Sequence, residues 1–196
     1  MNLIELTTPP VAALPVRAFA DHLRLGSGFA DDGSQDPVLI AFLRAAMAAI
    51  EGRTGKIVLE RDFSWELTRW FSLDRQGLPV GPVSAVREVA LVQADGTATV
   101  VDPSAYTLRK DVYRPELRAA ALPTIPTGGT VRISFTAGFG ASWEAIPPDL
   151  AQAVFLLAAS NYEGRAEAAG RGATMPFGVL SLIERYKTVR LLGDVL

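Results

Sequence analysis

The stretch of sequence that decides the fold begins at residue 131 and reads Val131-Arg132-Ile133-Ser134-Phe135-Thr136-Ala137-Gly138-Phe139-Gly140. Its apolar side chains, at Val131, Ile133 and Phe135, alternate with polar ones, and a period of two is typical of a β-strand with one buried face. Two glycines, Gly138 and Gly140, end the alternation. We therefore expect a strand that stops at a glycine-dependent turn.

A second signal follows shortly afterwards, where Ile146-Pro147-Pro148-Asp149 opens an apolar run. Proline is tolerated in the first turn of a helix, because the amide hydrogen that it lacks has no helical partner there. The run predicts a buried helix from Pro148 to residue 163 or 165. We expect Gly138, Gly140, Pro147 and Pro148 to act as a structural hinge that sets the angle at which a β part returns to a helical body.

The composition limits the classes of protein to which this chain can belong. A length of 196 residues suits one domain with a sizeable core. The formal net charge is −2, with 19 basic and 21 acidic residues spread along the chain, so no basic block favours tight binding of nucleic acid. The absence of cysteine excludes disulfides, thiolate metal sites and a cysteine nucleophile.

The sequence predicts neither a signal peptide nor a membrane span. The first ten residues lack a basic region followed by a long apolar one. The longest apolar run, residues 151–159, is far shorter than the about 20 residues that a spanning helix needs. The chain is nevertheless 49% hydrophobic, with a mean hydropathy of +0.22, which we interpret as a sign of buried subunit interfaces.

Four segments have the apolar spacing of amphipathic helices. The first begins at Pro15 and ends near residue 25. The second begins at Asp36-Pro37, with Asp36 as the expected N-cap, and stops by Thr54-Gly55. The third is the helix that begins at Pro148, and the fourth covers residues 177–192.

Between the second and third of these helices, the periodicity changes to that of strands. Strand-like segments occupy residues 86–93, 97–101 and 106–108, and Asp95-Gly96 is a strong signal for a hairpin turn. The sequence thus predicts an α+β fold, in which a mainly α-helical body of about four helices carries an inserted antiparallel β part. In this prediction residues 1–196 form a single domain, with the helical body at 15–55 and 147–192 and the β insertion at 56–140.

Candidate chemical sites are few, and each has a simpler structural interpretation. His22 is the only histidine, and its sequence neighbours do not supply the partners that a catalytic or metal-binding role needs. The segment 26–28, Gly-Ser-Gly, lacks the further glycine of a dinucleotide-binding motif and the Lys-Ser/Thr pair of a phosphate loop. The spacing of Asp32, Ser34 and Asp36 is that of calcium-loop ligands, but Pro37 stands where that loop needs glycine.

The aromatic residues between 63 and 71 offer a further possibility, a stacking surface for nucleic-acid bases. Acidic side chains at Glu60, Asp62 and Glu66 lie in the same segment, so the basic groove of a stacking protein is missing and core packing is favoured. We therefore expect no catalytic residue, no cofactor, no metal site and a non-enzymatic role.

The order of these features resembles the head-tail connector (adaptor) proteins of tailed bacteriophages and of phage-like gene transfer agents. The resemblance covers most of the chain up to Arg165 and depends on order and spacing rather than on one motif. It rests on Leu14-Pro15-Val16, His22-Leu23-Arg24, Asp31-Asp32, Leu39-Ile40, Leu43, Ala46, Ile50-Glu51, Thr54-Gly55, Leu78-Pro79, Pro82-Val83, Val86, Asp95-Gly96, Tyr106, residues 135–140, Ile146-Pro147-Pro148, Ala151, Ala153, Leu156-Leu157, Tyr162 and Arg165.

The resemblance implies a structural subunit that forms a ring, a dodecamer, beneath the portal protein, extends the DNA channel and joins the capsid vertex to the tail or a stopper. Its implied partners are the portal protein, a tail-proximal stopper or tail terminator, and further copies of the chain. DNA would pass through the lumen without sequence-specific binding, and no membrane is involved. The implied location is the neck of the virion, reached from the bacterial host cytoplasm during assembly.

The C-terminal segment is the candidate interface with the portal or with a neighbouring subunit. The candidate residues are Tyr186, Val189, Arg190, Leu191, Leu192, Val195 and Leu196. A helix that only packs within its own chain is the alternative for the same segment. Two alternatives for the function stay open: an unrecognised small-ligand-binding or enzymatic α+β domain, and a DNA-packaging accessory protein.

Overall fold

A computed structural model describes residues 2–25, 33–164 and 175–187. The chain divides into two compact units. We call residues 2–9 and 59–141 the sheet unit, and the described residues of 10–58 and 142–187 the helix unit. The assignment of residues 1–196 to a single domain stays a prediction.

The sheet unit contains eight strands arranged in two antiparallel sheets. They are β1 Asn2–Glu5, β2 Arg61–Leu67, β3 Arg75–Gly77, β4 Val83–Val92, β5 Ala98–Val100, β6 Thr107–Arg109, β7 Glu116–Arg118 and β8 Thr130–Ala137. The larger sheet has the order β1-β2-β8-β4-β5, and the smaller one the order β3-β7-β6.

Strand β8 lies at the centre of the larger sheet, because it pairs with β2 on one side and with β4 on the other. The apolar side chains that predicted this strand, Val131, Ile133 and Phe135, are fully buried. Phe135 lies directly opposite Phe63 of β2, and the two rings stack with their centroids 5.6 Å apart. The predicted half-buried strand is thus confirmed, and its apolar face supplies the core of the sheet unit.

The hairpin predicted at Asp95-Gly96 is also confirmed, and it connects β4 to β5. The amide of Gln93 donates to the carbonyl of Thr97 over 2.8 Å, and the Asp95 carboxylate accepts from the amide of Thr97 over 2.8 Å. Gly96 has a φ of 88°, which a residue with a side chain rarely adopts.

The helix unit contains α1 Val16–His22, α2 Asp36–Thr54, α3 Pro148–Glu163 and α4 Phe177–Ile183, with a 3₁₀ turn at Glu184–Tyr186. Helix α3 packs against α2 and α4, and α1 packs against α2. The buried apolar side chains of α2 and α3 recur at helical spacing, and they are Leu39, Leu43, Ala46, Met47, Ile50, Leu150, Ala153, Val154, Leu157 and Ala158.

The helix boundaries agree closely with the sequence except at the C-terminus. Asp36 is the first residue of α2 and Gln35 is its N-cap, so the helix begins one residue earlier than the predicted cap implies. Helix α3 spans the predicted Pro148–Glu163. Helix α4 begins at Phe177 as predicted, but it ends at Ile183; residues 188–192 of the predicted helix lie outside the described residues.

The prediction of a mainly α-helical body with a β insertion is wrong, because eight strands in two antiparallel sheets form a core of their own. Moreover, β1 precedes every helix and still pairs with β2, so the β part is not confined to one insertion. All four residues of β1 are exposed. A strand without a buried side carries no alternating pattern, which is why the sequence did not reveal it.

The end of β8 is held by close backbone contacts within the sheet unit. Gly138 has a φ of 143°, and a Cβ atom there would lie 2.3 Å from the Cα of Glu60. The amide of Gly138 donates to the carbonyl of Pro82 over 2.9 Å, and the amide of Glu60 donates to the carbonyl of Gly140 over 2.8 Å. The glycine therefore lets the backbones that enter β2 and leave β8 touch directly.

We expect Gly138→Ala to lower the free energy of unfolding by about 2–4 kcal/mol, because the methyl group clashes with backbone that cannot move aside cheaply. Gly77→Ala is the matched control in the same unit, since a Cβ there meets no heavy atom within 4 Å. Urea unfolding followed by circular dichroism measures both. Equal losses for the two variants would contradict the close-contact explanation.

Candidate assembly surfaces

The larger sheet has two edges that are open among the described residues. Strand β1 pairs there with β2 alone, and β5 pairs with β4 alone. Every residue of these two strands is exposed. An open edge presents unpaired amides and carbonyls, so it is a ready template for pairing with another strand.

The smaller sheet exposes a second distinctive surface, which is rich in arginine. The register places Arg75 opposite Arg118, and Arg109 opposite Glu116, so their side chains share one face. The Glu116 carboxylate accepts from Arg118 over 2.8 Å and from Arg109 over 3.3 Å. One carboxylate thus serves two guanidinium groups, and the face carries net positive charge.

In the helix unit, three polar side chains form a cluster that we call the Tyr186 clamp, which consists of Asp149, Arg185 and Tyr186. The Tyr186 hydroxyl donates to the Asp149 carboxylate over 2.7 Å and accepts from the Arg185 guanidinium over 2.6 Å. Arg185 also forms a salt bridge with Asp149 at 2.8 Å. The clamp ties the 3₁₀ turn after α4 to the first turn of α3.

Burial, together with the hydrogen bond to Asp149, raises the pKa of the Tyr186 hydroxyl above its ordinary value. Tyr186 is only 2% exposed, so it anchors the chain just before residues 188–196. Those residues lie outside the described residues.

His22 lies in an aromatic cluster of the helix unit. Its ring centroid is 6.4 Å from that of Phe19 and 5.5 Å from that of Phe155. Within residues 2–25, 33–164 and 175–187, no three His, Cys, Asp or Glu side chains are grouped so that they could hold a metal ion. In the same part of the chain no helix is both long and apolar enough to cross a membrane.

Comparison with known proteins gives matches among solved structures. No protein-family model matches the chain. No curated protein matches it significantly. The chain is 55% identical to a chain in the neck of an empty gene transfer agent particle computed with C6 symmetry, over 98% of both chains and with a TM-score of 0.89. This chain belongs to the head-tail connector (adaptor) family.

Two further structures support the assignment to the connector family. A chain in the virion of a native gene transfer agent particle is 55% identical over 98% of both chains, with a TM-score of 0.87. A chain in the neck of a native particle computed with C12 symmetry is 51% identical over 98% of both chains, with a TM-score of 0.85. The resemblance noted in the sequence is therefore confirmed.

The structure places the residues of the predicted hinge of the connector in both units. Gly138 and Gly140 lie in the sheet unit, where they hold the end of β8. Pro147 and Pro148 lie in the helix unit as the N-cap and first residue of α3, and the Pro147 carbonyl accepts from the amide of Ala151 over 3.0 Å. The role of these four residues as a hinge stays a prediction.

Of the predicted interface residues of the connector, the structure describes Tyr186 alone. The other six, Val189, Arg190, Leu191, Leu192, Val195 and Leu196, lie outside the described residues. Asp149 and Arg185, which both bind Tyr186, were not among the predicted site residues. Asp149 is 37 residues from Tyr186, and an aspartate in the first turn of a helix is ordinary because it interacts favourably with the helix dipole.

A double-mutant cycle tests the Tyr186 clamp. We expect Tyr186→Phe to lower the free energy of unfolding by about 1–2 kcal/mol, because it removes a buried hydroxyl that both donates and accepts. When Tyr186→Phe is introduced into the Asp149→Ala variant, the loss in the free energy of unfolding should be smaller by about 1 kcal/mol. Thermal and urea unfolding of the four proteins gives the coupling energy. Additive losses would contradict direct contact between the two side chains.

The raised pKa of Tyr186 predicts a pH dependence at high pH. Since the folded state holds the proton more tightly than the unfolded state, the stabilisation is fully present below about pH 10 and is lost as the pH rises through the folded pKa. The stability difference between the wild type and Tyr186→Phe should be constant from pH 7 to pH 9 and shrink above pH 10. Urea titrations across this range measure it; a difference that grows above pH 10 would contradict the assigned sign.

Proposed function

We propose that this chain is a structural subunit of the neck of a gene transfer agent or related phage-like particle. In this function it forms a ring beneath the portal, extends the DNA channel and joins the capsid vertex to the stopper or tail. The single observation that carries the proposal is the 55% identity over 98% of both chains to a chain of a gene transfer agent neck. Identity at this level over nearly the whole length covers surface as well as core positions.

A ring of twelve copies is the proposed assembly. Necks computed with C6 and with C12 symmetry contain chains that are 55% and 51% identical to this one. A closed ring repeats one head-to-tail contact, so each subunit needs two different surfaces. The open edges formed by β1 and β5 are two such surfaces on one subunit.

Docking to the portal is assigned to the segment after the Tyr186 clamp. The apolar residues there include Leu191, Leu192, Val195 and Leu196. An anchor that is already fixed in the free subunit adds no ordering cost when a neighbouring segment binds. The clamp provides such an anchor, because Tyr186 is buried and bound on two sides.

Passage of DNA without tight binding is consistent with the charge of the chain. A wall that held many phosphates would impede movement, because each contact releases counterions and adds affinity. The net charge is −2, and Glu116 binds two of the three arginines on the face of the smaller sheet.

A non-enzymatic role forms part of the same proposal, since assembly requires surfaces rather than a reaction centre.

A chain that ends at Lys187 tests the docking segment while it keeps the whole clamp. We expect this truncation to fold normally and to lose at least tenfold in co-purification with portal rings, because the apolar residues of the segment are gone. The matched control is Phe177→Ser, which removes an apolar side chain that is 85% exposed but precedes the clamp, and it should bind the portal normally. Unchanged recovery of portal complexes by the truncated chain would refute docking through this segment.

Imaging of particles tests the wider proposal. A ring of this chain should appear directly beneath the portal, and particles from cells that lack the chain should have filled or empty heads without attached tails. Finding the chain outside the neck, or tails attached in its absence, would refute the connector function.

A further inference from the structure

The two open edges of the larger sheet carry exposed apolar side chains on the same face. Ile4 of β1 lies opposite Ser64 of β2, and Leu6 just beyond β1 donates its amide to the carbonyl of Asp62 over 2.8 Å. At the other edge, Val100 of β5 lies opposite Ala90 of β4. Following the pairings through β2, β8 and β4 places Ile4, Leu6 and Val100 on one side of the sheet.

Between these edges, the same face is predominantly polar. The residues of β2 and β8 on this face are all polar, and those of β4 are Ala85, Glu88, Ala90 and Val92. The Thr136 hydroxyl donates to the Asp62 carboxylate over 2.6 Å and accepts from Arg87 over 2.8 Å. The apolar groups at the two edges are therefore not the margin of a continuous apolar surface, and each edge needs its own explanation.

Both edge strands are short, with four residues in β1 and three in β5, but neither carries a charged side chain on the face of Ile4, Leu6 and Val100. Edge strands that must stay single commonly carry lysine, proline or inward-pointing charges. Strand β5 has no charged residue, and the one charge of β1, Glu5, is bound by Arg61 at 2.9 Å. Ile4 is 46% exposed, Leu6 is 55% exposed and Val100 is 58% exposed.

We propose that β5 of one subunit pairs with β1 of the next subunit, so that the larger sheets continue from copy to copy around the ring. Val100 then packs on Ile4 and Leu6 of the neighbour. This inference rests on the proposed ring function and names the contact that closes it.

The strand directions specify the geometry of this contact. Neighbouring strands in the sheet are antiparallel throughout, so β1, β8 and β5 run in the same direction. Rotation about a ring axis keeps the direction of a strand relative to that axis. A sheet that continues between subunits therefore joins β5 to β1 as a parallel pair, with slanted, evenly spaced hydrogen bonds.

A second copy of this chain fits the edges better than another partner does. Both halves of the contact are on one chain, with apolar groups on the same face and strands in the same direction. A head-to-tail contact of this kind joins two different surfaces and closes when the rotation per subunit divides the circle. A different protein at either edge would leave the other edge unexplained.

Disulfide crosslinking in assembled particles tests the pairing, and the absence of cysteine from the chain keeps the background clean. The test pairs are Ile4→Cys or Leu6→Cys combined with Ala98→Cys or Val100→Cys, which cover adjacent registers. Within one subunit the two edges are four strand spacings apart, about 19 Å. A disulfide needs Cα atoms within about 7 Å, so only a bond between subunits can form.

The matched control is Ile4→Cys combined with Thr99→Cys, because Thr99 points to the opposite face of β5. After oxidation of purified particles, we expect a ladder of multimers for at least one test pair, at least fivefold above the control pair. A neck ring that contains the cysteine variants but gives no ladder would overturn the edge pairing and leave the ring function standing. Absence of the wild-type chain from the neck would overturn both.

A second variant covers the case in which the cysteine pairs do not assemble. Val100→Lys changes an exposed side chain, so the isolated subunit should unfold at the wild-type midpoint. We expect its incorporation into particles to fall at least tenfold, because the charge would lie against Ile4 and Leu6 of the neighbour, whereas Thr99→Lys should be incorporated normally. Normal incorporation of Val100→Lys would overturn the proposal.

Discussion

The register of strand β8 is the constraint on which the rest of the sheet unit depends. This strand pairs along its length with β2 and β4, and it ends at a glycine that touches the backbone of Glu60. The contact links the place where the chain leaves β8 to the place where it enters β2. A shift of β8 by one residue would turn Val131, Ile133 and Phe135 away from the core and would misplace Gly138 at the same time.

The fixed centre of the sheet decides what its edges present. Because β8, β2 and β4 cannot slip, Ile4 and Val100 are held at opposite edges on one face. In the helix unit, the first turn of α3 holds Tyr186 and Arg185 through Asp149, and this fixes the chain just before the C-terminal segment. For a connector, a rigid interior is useful because a ring closes only when every subunit presents its two contact surfaces at the same angle.

Sequence reasoning succeeded where the signal was local. The start of α3 at Pro148, the hairpin at Asp95-Gly96 and the buried face of β8 follow from proline geometry, turn chemistry and alternation. It failed for β1, because an exposed edge strand has no pattern of its own. The expectation of a mainly α-helical body was wrong because the eight strands form two sheets with a core of their own, which depends on pairing between distant segments. Assignment to the connector family succeeded because it used the order of many weak motifs along the chain.

The sequence by itself determined the helices α2 and α3, the central strand, the main hairpin and the family of the protein. Only the tertiary structure decided which residues meet across long separations: β1 with β2, Asp149 with Tyr186, and the backbone of Gly138 with that of Glu60. The physical reason is that local conformation depends on neighbours in the chain, whereas pairing depends on which partners remain once the core is buried. The stretch from residue 131 to residue 140 belongs to both groups, since the sequence predicts its alternation and its glycine turn, whereas only the structure shows that Gly138 meets the backbone of Glu60.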